Sequence, residues 1–288
     1  MQQVEFNLED NIFQLYSELA SQTYRHSDYT AFYITDPKLR RIHKATVRDR
    51  LLQHAIFRVL YPIFDCSFIF DSYSCRLGKG THRAVRRLKQ FCQKLSGNNS
   101  RNIWALKCDV KKFFDSMDHH TLFDLVERKV TDKKALWLIE QIINSYHTNP
   151  GRGLPIGNVT SQLFANIYLN ELDQFIKHEL KARYYLRYCD DFVVLKSREQ
   201  LSEIVERVGK FLDDELKLSL HPDKIILRTY RQGIDFLGYV ARPHCVTLRT
   251  RTKKRMLKRV KHDNLPSYLG LLKHCAGYKL ERKINDVI

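Results

Sequence analysis

The feature that most constrains this chain is a pair of adjacent carboxylates, Asp190 and Asp191, between two short apolar runs. The runs, Tyr184 to Tyr188 and Phe192 to Leu195, are rich in aromatic and β-branched residues and predict two short buried strands. The pair then falls at or near a hairpin turn, where aspartate is common. One interpretation is only a polar turn. Since adjacent carboxylates repel each other unless a cation lies between them, the other is a divalent-metal site.

The charge balance points to a polyanionic partner. Lys and Arg together number 49 against 32 Asp and Glu, which gives a net charge of +17 over 288 residues. Such an excess is most often found in proteins that bind nucleic acid, although a merely basic soluble protein would share it. A hydrophobic content of 43% predicts a soluble globular protein of one or two domains.

Cysteine usage and the N-terminus bear on the compartment. The seven cysteines are odd in number, scattered and never spaced Cys-x-x-Cys, so we predict free thiols and no zinc site. Residues 1–7 contain no basic start and no apolar segment of a signal peptide. Because no apolar run approaches the roughly 18 residues of a membrane span, we expect a cytoplasmic protein without a membrane partner.

Hydrophobic periodicity predicts a mixture of helices and short strands. Thr46 and Thr81 are predicted N-caps of two of the helices. The predicted helices cover about 9–21, 46–65, 81 onward, 119–129, 132–147, 159–180, 198–214 and 249–261. The predicted strands cover about 29–35, 40–45, 103–109, 184–188, 192–195, 218–228 and 234–241.

A third carboxylate completes a candidate metal site. Asp109 ends the predicted strand 103–109, and a metal held by adjacent aspartates usually needs a further carboxylate. Three carboxylates on neighbouring strands can hold two Mg²⁺ roughly 3.5–4 Å apart, an arrangement that stabilises the attacking and leaving oxygens of an in-line displacement at phosphorus. Asp115 and Asp118 are weaker candidates, better explained as helix caps or solvated side chains.

Seven collinear motifs resemble those of reverse transcriptases. The first two, Arg40 to His54 and Ser72 to Ala84, resemble the fingers motifs, and Lys107 to Ser116 resembles palm motif A. The remaining four are Gly153 to Gln162 (motif B), the Tyr-x-Asp-Asp box Tyr188 to Asp191, the lysine motif His221 to Lys224 and the primer-grip region Phe236 to Tyr239. The resemblance covers about residues 20–288.

The resemblance implies an α+β right-hand polymerase with fingers, an antiparallel-sheet palm and a helical thumb. The implied boundaries are 1–100 for the fingers, 101–243 for the palm and 244–288 for the thumb. The implied enzyme is an RNA-directed DNA polymerase that uses two Mg²⁺, with Mn²⁺ as a substitute. Its implied partners are dNTPs, a template RNA and an RNA/DNA duplex.

Roles carry over by motif position. Asp109, Asp190 and Asp191 become metal ligands, with the Val110 carbonyl as a further ligand, and Lys224 becomes the lysine that protonates pyrophosphate or is simply solvated. The implied nucleotide-binding residues are Arg40, Arg41, Phe114, Ile156, Gly157 and Gln162. Phe114 would exclude a 2′-hydroxyl or be a core aromatic. Arg40 and Arg41 would bind the triphosphate or form a solvated strand face. Gln162 would face the template or form a hydrogen bond within its helix.

The implied nucleic-acid-binding residues lie in the second fingers motif, the Tyr-x-Asp-Asp box, the primer grip and a basic segment. They are Arg76, Lys79, Arg83, Tyr188, Gly238, Lys253, Lys254, Arg255 and Lys258. The segment 249–261 contains eight Lys or Arg and no acid. It suits a thumb helix that contacts duplex phosphates, whereas a charge run is otherwise usually a solvated face.

Motif B indicates a subfamily. Most bacterial reverse transcriptases have Gln-Gly followed by Ser-Pro there, whereas this chain has Ile156-Gly157 and Ser161-Gln162. This form is similar to the enzymes of diversity-generating retroelements, which copy a template-repeat RNA with errors at adenines and use a small basic accessory protein. The alternatives are a reverse transcriptase of a phage-defence system and, more remotely, a non-catalytic RNA-binding scaffold.

Overall fold

A computed structural model describes residues 7–36 and 38–285 of the chain. The chain divides into two compact units. The first unit contains the residues up to Phe70, Val110–Phe175 and Val208–His221. The second unit contains Asp71–Asp109, Ile176–Arg207 and the residues from Pro222 onward. The predicted fingers, palm and thumb boundaries stay predictions. Among the described residues, no helix is both long and apolar enough to cross a membrane.

The first unit is mainly helical and contains one hairpin. The antiparallel hairpin pairs strands β1 and β2, with Phe32 opposite Ile42. Its elements are α1 (Leu8–Ala20), β1 (Thr30–Ile34), β2 (Arg40–Lys44), α2 (Val47–Asp65), α4 (Phe113–Ser116), α5 (His119–Glu127), α6 (Lys133–Ile143), α7 (Val159–Gln174) and the second half of α8 (Arg198–Leu216).

Helix caps and burial organise this unit. Thr46 caps α2 as predicted, because its hydroxyl accepts a hydrogen bond from the Asp49 amide at 3.2 Å. Asp118 and Asp132 cap α5 and α6 in the same way. Helix α7 packs against α2 and α5 and is buried over most of its length, including polar residues such as Thr160, Ser161 and Asn166.

The second unit is built on a four-stranded antiparallel sheet. Its strand order is β4-β5-β3-β6, formed by β3 (Trp104–Asp109), β4 (Tyr184–Tyr188), β5 (Asp191–Lys196) and β6 (Ile226–Thr229). A second antiparallel sheet joins β7 (Ile234–Phe236), β8 (Tyr239–Ala241) and β9 (Val246–Leu248). The helices are α3 (Thr81–Leu95), the first half of α8, α9 (Thr250–Arg259), α10 (Leu265–Leu272) and α11 (Tyr278–Asn285).

One hydrophobic core joins these elements of the second unit. Val193 and Leu195 of β5 lie with Leu88 of α3 in a cluster that also contains Phe236 of β7 and Met256 of α9. Met256 is fully buried, so the basic helix α9 is fixed to the unit by its apolar side. The chain is therefore of the predicted α+β class.

Three local predictions are corrected. Thr81 is the first residue of α3 and not its cap; Gly80 stands at the cap position and no side chain caps this helix. The helix predicted to Leu180 ends as an α-helix at Gln174 and continues as a π-helical turn over Phe175–Glu179. The strand predicted around 218–228 is confined to Ile226–Thr229, because Pro222–Lys224 forms a 3₁₀ turn.

Candidate active site

The adjacent aspartates lie at a tight turn between β4 and β5. Tyr188 pairs with Asp191 as the last pair of the ladder, so Cys189 and Asp190 form the two-residue turn. Cys189 has φ +56, a conformation that such turns require. In the next pairing, Asp109 at the end of β3 stands opposite Asp191. The sheet register therefore brings Asp109, Asp190 and Asp191 to one end of the sheet, as the sequence predicted.

These carboxylates lie in an environment that disfavours their charge. Burial, together with the nearby Asp109 carboxylate, raises the pKa of Asp190. Burial likewise raises the pKa of Asp191 to about 6, although the Lys107 ammonium opposes the shift. Lys107 Nζ lies 3.2 Å from Asp191 Oδ1, and Lys224 Nζ lies 2.6 Å from Asp109 Oδ1. Two lysines thus supply part of the positive charge that three clustered carboxylates require.

The donor set suits a hard divalent cation. Carboxylate oxygens are the protein ligands that Mg²⁺ prefers, and a bound cation would remove the repulsion that raises the pKa of Asp190. Within residues 7–36 and 38–285, no three His, Cys, Asp or Glu side chains already converge as a metal-holding group. Asp191 pairs with Lys107 and Asp109 with Lys224, so a metal held by these carboxylates would take the place of the two ammonium groups. The predicted Val110 carbonyl ligand stays a prediction.

Arg187 is a residue of the site that the sequence did not assign. Its side chain is fully buried, and its guanidinium donates to the Cys189 carbonyl at 3.1 Å and to Ser72 Oγ at 3.2 Å. The backbone of β4 also bonds to the segment before α3, since the Tyr73 backbone N–H donates to the Arg187 carbonyl at 2.9 Å. Arg187 therefore holds the turn that carries Asp190. The signal was the single arginine inside an otherwise apolar strand.

The predicted loop residues of the second fingers motif lie beside this turn. Thr81 Oγ1 donates to the Tyr188 hydroxyl at 3.2 Å, which joins the start of α3 to the end of β4. Lys79 Nζ lies 5.1 Å from the centre of the Tyr73 ring, and Arg83 donates to the Gly78 carbonyl. Arg76 donates to the Ser72 carbonyl at 3.2 Å. The structure thus brings Arg76, Lys79, Arg83 and Tyr188 together in one unit with the carboxylates.

Gly238 lies in the turn between β7 and β8, and its carbonyl accepts a hydrogen bond from the Arg249 amide at 2.9 Å, just before α9. Its φ of +86 requires glycine. Lys254 and Lys258 of α9 are exposed, and Lys253 and Arg255 are half-exposed. The basic side of α9 is therefore accessible, and its predicted nucleic-acid contacts stay predictions.

A cavity of about 520 Å³ in the first unit contains several predicted nucleotide-binding residues. Arg40 and Arg41 of β2 line it together with Ile156, His43 and Tyr146. The His43 amide donates to the Ile156 carbonyl at 3.0 Å, which fixes motif B against β2. Burial and the neighbouring Arg41 lower the pKa of His43. Two arginines of β2 and Ile156, the variant position of the predicted motif B, therefore lie around one concave site.

Gly157 gives a direct test of this junction. Its φ is +120, and a Cβ there would lie 2.8 Å from Ile42 Cγ2. We expect Gly157→Ala to displace β2 or motif B and to destabilise the fold by roughly 1–3 kcal/mol. Thermal melting measures this effect, with Gly209→Ala as a control, because a Cβ at Gly209 meets nothing within 4 Å. Equal melting temperatures for the two variants would contradict the close packing of Gly157 against Ile42 of β2.

Phe114 and Gln162, the other two predicted nucleotide-binding residues, lie on helices α4 and α7. Phe114 is half-buried in α4, and its ring centre lies 5.3 Å from that of Phe113. Gln162 is exposed on the first turn of α7, and its backbone N–H donates to the backbone carbonyl of Asn158 at 3.4 Å. Their roles at the nucleotide and the template stay predictions.

Comparison with known sequences decides the family. The sequence model of the family described as "Reverse transcriptase (RNA-dependent DNA polymerase)" matches residues 35–241, more than half of the chain. The chain belongs to the reverse transcriptase family. The matched range contains all three carboxylates and the residues around the 520 Å³ cavity.

Curated relatives of this reverse transcriptase include intron-encoded proteins. It is 29% identical to protein YkfC of Escherichia coli over 266 residues, covering 78% of this chain and 69% of YkfC. It is 26% identical to the group II intron-encoded protein LtrA of Lactococcus lactis, covering 86% of this chain but 53% of LtrA. The reverse transcriptase thus spans only about half the length of LtrA.

Solved telomerase structures share the fold. Apo telomerase from Candida tropicalis aligns with 91% of this chain and 57% of that chain, at a TM-score of 0.58 and 13% identity. Telomerase from Candida albicans in complex with a TWJ fragment of telomeric RNA aligns with 95% of this chain and 60% of that chain, at a TM-score of 0.55 and 11% identity. The predicted polymerase fold of mixed helices and antiparallel sheet is confirmed.

Proposed function

We propose that this chain synthesises DNA on an RNA template, in the reaction that its family is named for. The observation that supports the proposal most is the register of the sheet, which brings Asp109, Asp190 and Asp191 to one end in a chain of this family. In this role the three carboxylates hold two Mg²⁺, or Mn²⁺ as a substitute. When bound, the ions stabilise the charge on the attacking 3′-oxygen and on the leaving pyrophosphate.

The proposed roles of the protein side chains are those that the motifs imply. Arg40 and Arg41 bind the triphosphate of a dNTP in the cavity they line, since arginine forms two parallel hydrogen bonds with a phosphate. Lys224 pairs with Asp109, and with a metal held by that carboxylate Lys224 would be available to donate a proton to the leaving pyrophosphate. Phe114 excludes ribonucleotides, and the exposed lysines of α9 bind the phosphates of the RNA/DNA duplex.

We further propose that the enzyme serves a diversity-generating retroelement, and motif B supports this. Ile156 replaces an amide that could hydrogen-bond near the nascent base pair. Its half-buried side chain lines the cavity with Arg40 and Arg41. A group that cannot hydrogen-bond weakens discrimination among bases, because one such contact is worth about 1–3 kcal/mol. The expected result is error-prone copying of a template-repeat RNA.

Ile156→Gln tests this role of motif B. We expect the misincorporation frequency opposite template adenines to fall about tenfold, because glutamine restores one hydrogen-bonding group beside the base pair. Sequencing of DNA products made by both enzymes on one RNA template measures the change. Ile156→Val is the matched control, since it alters volume without adding a polar group. An unchanged error spectrum in Ile156→Gln would contradict the proposal.

An accessory protein is part of the retroelement proposal. Helix α1 presents a row of exposed apolar side chains, with Phe13 69% and Tyr16 70% exposed. A small basic partner would meet repulsion from a chain of net charge +17, so an apolar contact of this kind, or shared RNA, must hold the complex.

Copying of a defined RNA separates the candidate functions. The enzyme, Mg²⁺ and all four dNTPs are incubated with the RNA and a primer, and the DNA is sequenced. Errors concentrated at template adenines would support the retroelement role. Accurate copying would favour the phage-defence role. No product, even after addition of the accessory protein and native RNA, would favour the non-catalytic scaffold.

A further inference from the structure

A second cavity lies at the end of the sheet opposite the carboxylates. Its volume is about 560 Å³, within the range of ligand-binding pockets, and we refer to it as the far-end cavity. The first residues of β3 and β4, Trp104 and Tyr184, line it together with Lys196, the last residue of β5. Since β3 runs from Trp104 to Asp109, roughly 17 Å separate this cavity from the carboxylate end.

The far-end cavity is strongly basic. Arg101, Lys181, Arg183 and Arg198 line it, and Glu199 is the acidic residue among its lining side chains. Within the described part of the chain, none of these four basic side chains forms an ion pair. Positive charge therefore exceeds negative charge among the lining side chains, which favours an anionic ligand.

The same cavity presents two aromatic rings next to arginines. The Arg198 guanidinium lies 5.1 Å from the centre of the Trp104 ring, and that of Arg183 lies 5.7 Å from the centre of the Tyr184 ring. Both rings are half-buried. Aromatic rings are surfaces on which unpaired bases stack, and arginine side chains beside them bind the phosphates between those bases.

Helix α8 adds to the anion preference of the cavity. The helix begins at Arg198, and residues 197–200 line the cavity. The backbone N–H of Gln200 donates to Ser197 Oγ at 3.4 Å. The N-terminal end of a 19-residue helix carries partial positive charge, which acts in the same direction as the basic side chains.

We propose that the far-end cavity binds a single-stranded segment of RNA, with bases stacked on Trp104 and Tyr184 and phosphates bound by Arg101 and Arg183. The inference rests on the proposed function, because the strand would belong to the RNA that the enzyme copies. The cavity anchors that RNA at a site separate from the reacting nucleotide. An acidic protein segment would use the charge of the cavity but not its two aromatic rings.

Trp104 provides a local reporter. The chain contains two tryptophans, Trp104 and Trp137, so Trp137→Phe leaves Trp104 as the single indole fluorophore. A 12-nucleotide single-stranded RNA without secondary structure is titrated into this variant, and uridine monophosphate is titrated in parallel. We expect the RNA to quench Trp104 fluorescence, because a stacked base quenches indole, and we expect the mononucleotide to act only at far higher concentration.

Charge reversal tests the binding residues. In the Trp137→Phe background, Arg101→Glu/Arg183→Glu should lower the affinity for the 12-nucleotide RNA about tenfold or more at fixed salt. The matched control is Lys133→Glu/Lys134→Glu on α6, two exposed lysines whose reversal changes the net charge equally. The control should keep both the quenching and most of the affinity.

The remaining outcomes separate this inference from the proposed function. The Arg101→Glu/Arg183→Glu variant should extend a primer at the wild-type rate on a short template. It should bind a long RNA more weakly than the wild-type enzyme does. If wild-type enzyme makes DNA but the RNA does not quench Trp104, the far-end cavity inference is overturned and the polymerase proposal stands. Equal loss of affinity in the two double variants, or quenching by the mononucleotide alone, would also overturn the inference.

Discussion

Replacement of Asp190 by asparagine is expected to remove DNA synthesis while leaving the fold as stable or more stable. Loss of one ligand of a two-metal site should slow nucleotide addition by at least about a thousandfold, or roughly 4 kcal/mol. Burial and the Asp109 carboxylate raise the pKa of Asp190, so its ionised form destabilises the folded chain at neutral pH. Asparagine removes that charge.

Melting curves with and without Mg²⁺ measure the predicted stability of the Asp190→Asn variant. Without metal at pH 7.5, Asp190→Asn should melt at or above the wild-type temperature. The difference should shrink as the pH falls towards the pKa of an unperturbed aspartate, because the wild-type side chain then also becomes neutral. Mg²⁺ should raise the melting temperature of the wild type more than that of the variant.

Asp213→Asn is the matched control, since Asp213 is an exposed aspartate on α8. It should show wild-type activity and the wild-type response to Mg²⁺. A lower melting temperature for Asp190→Asn without metal, at neutral pH, would mean that Asp190 is a structural residue rather than a strained metal ligand.

Replacement of Arg187 by methionine should have the largest effect on stability. The change leaves the Cys189 carbonyl and Ser72 Oγ without the donors that now lie 3.1 and 3.2 Å away. Each hydrogen bond from a charged group contributes about 1.5–3 kcal/mol, so we expect a loss of roughly 3–5 kcal/mol in the free energy of unfolding. Chemical denaturation measures the loss directly.

Arg228→Met controls for the loss of an arginine from the same sheet, because Arg228 is exposed on β6. It should change the free energy of unfolding by less than about 0.5 kcal/mol. Arg187→Lys refines the interpretation, since lysine keeps the charge but loses the planar fork that reaches two acceptors. Comparable stability of Arg187→Met and Arg228→Met would contradict the supporting role of Arg187.

The sequence predicted the parts of the structure that depend on local pattern. Two apolar runs rich in aromatic and β-branched residues, together with turn chemistry, located the Asp190-Asp191 hairpin, and the carboxylate at the end of the strand 104–109 identified Asp109 as its neighbour. The capping role of Thr46 was likewise readable, because a cap depends on residues three positions apart. Motif order then supplied the family, which the family comparison confirmed.

Contacts between distant segments could not be predicted from pattern. The Ser72 and Cys189 partners of Arg187, and the lysines that neutralise Asp109 and Asp191, depend on how the second unit folds. The missed details also have local causes. Gly80 replaced Thr81 as the cap of α3, with the Thr81 hydroxyl instead bonded to Tyr188, and the long helix after Val159 ends in a π turn that no periodicity indicates.

The measurement that tests the central claim most directly is extension of a DNA primer on an RNA template with Mg²⁺ and four dNTPs. Wild-type enzyme and Asp213→Asn should make DNA complementary to the RNA, and a chelator should stop both. Asp109→Asn, Asp190→Asn and Asp191→Asn should each make none while remaining folded. Undiminished, metal-independent synthesis by any of these three variants would contradict the assignment of the carboxylate end of the sheet as the active site.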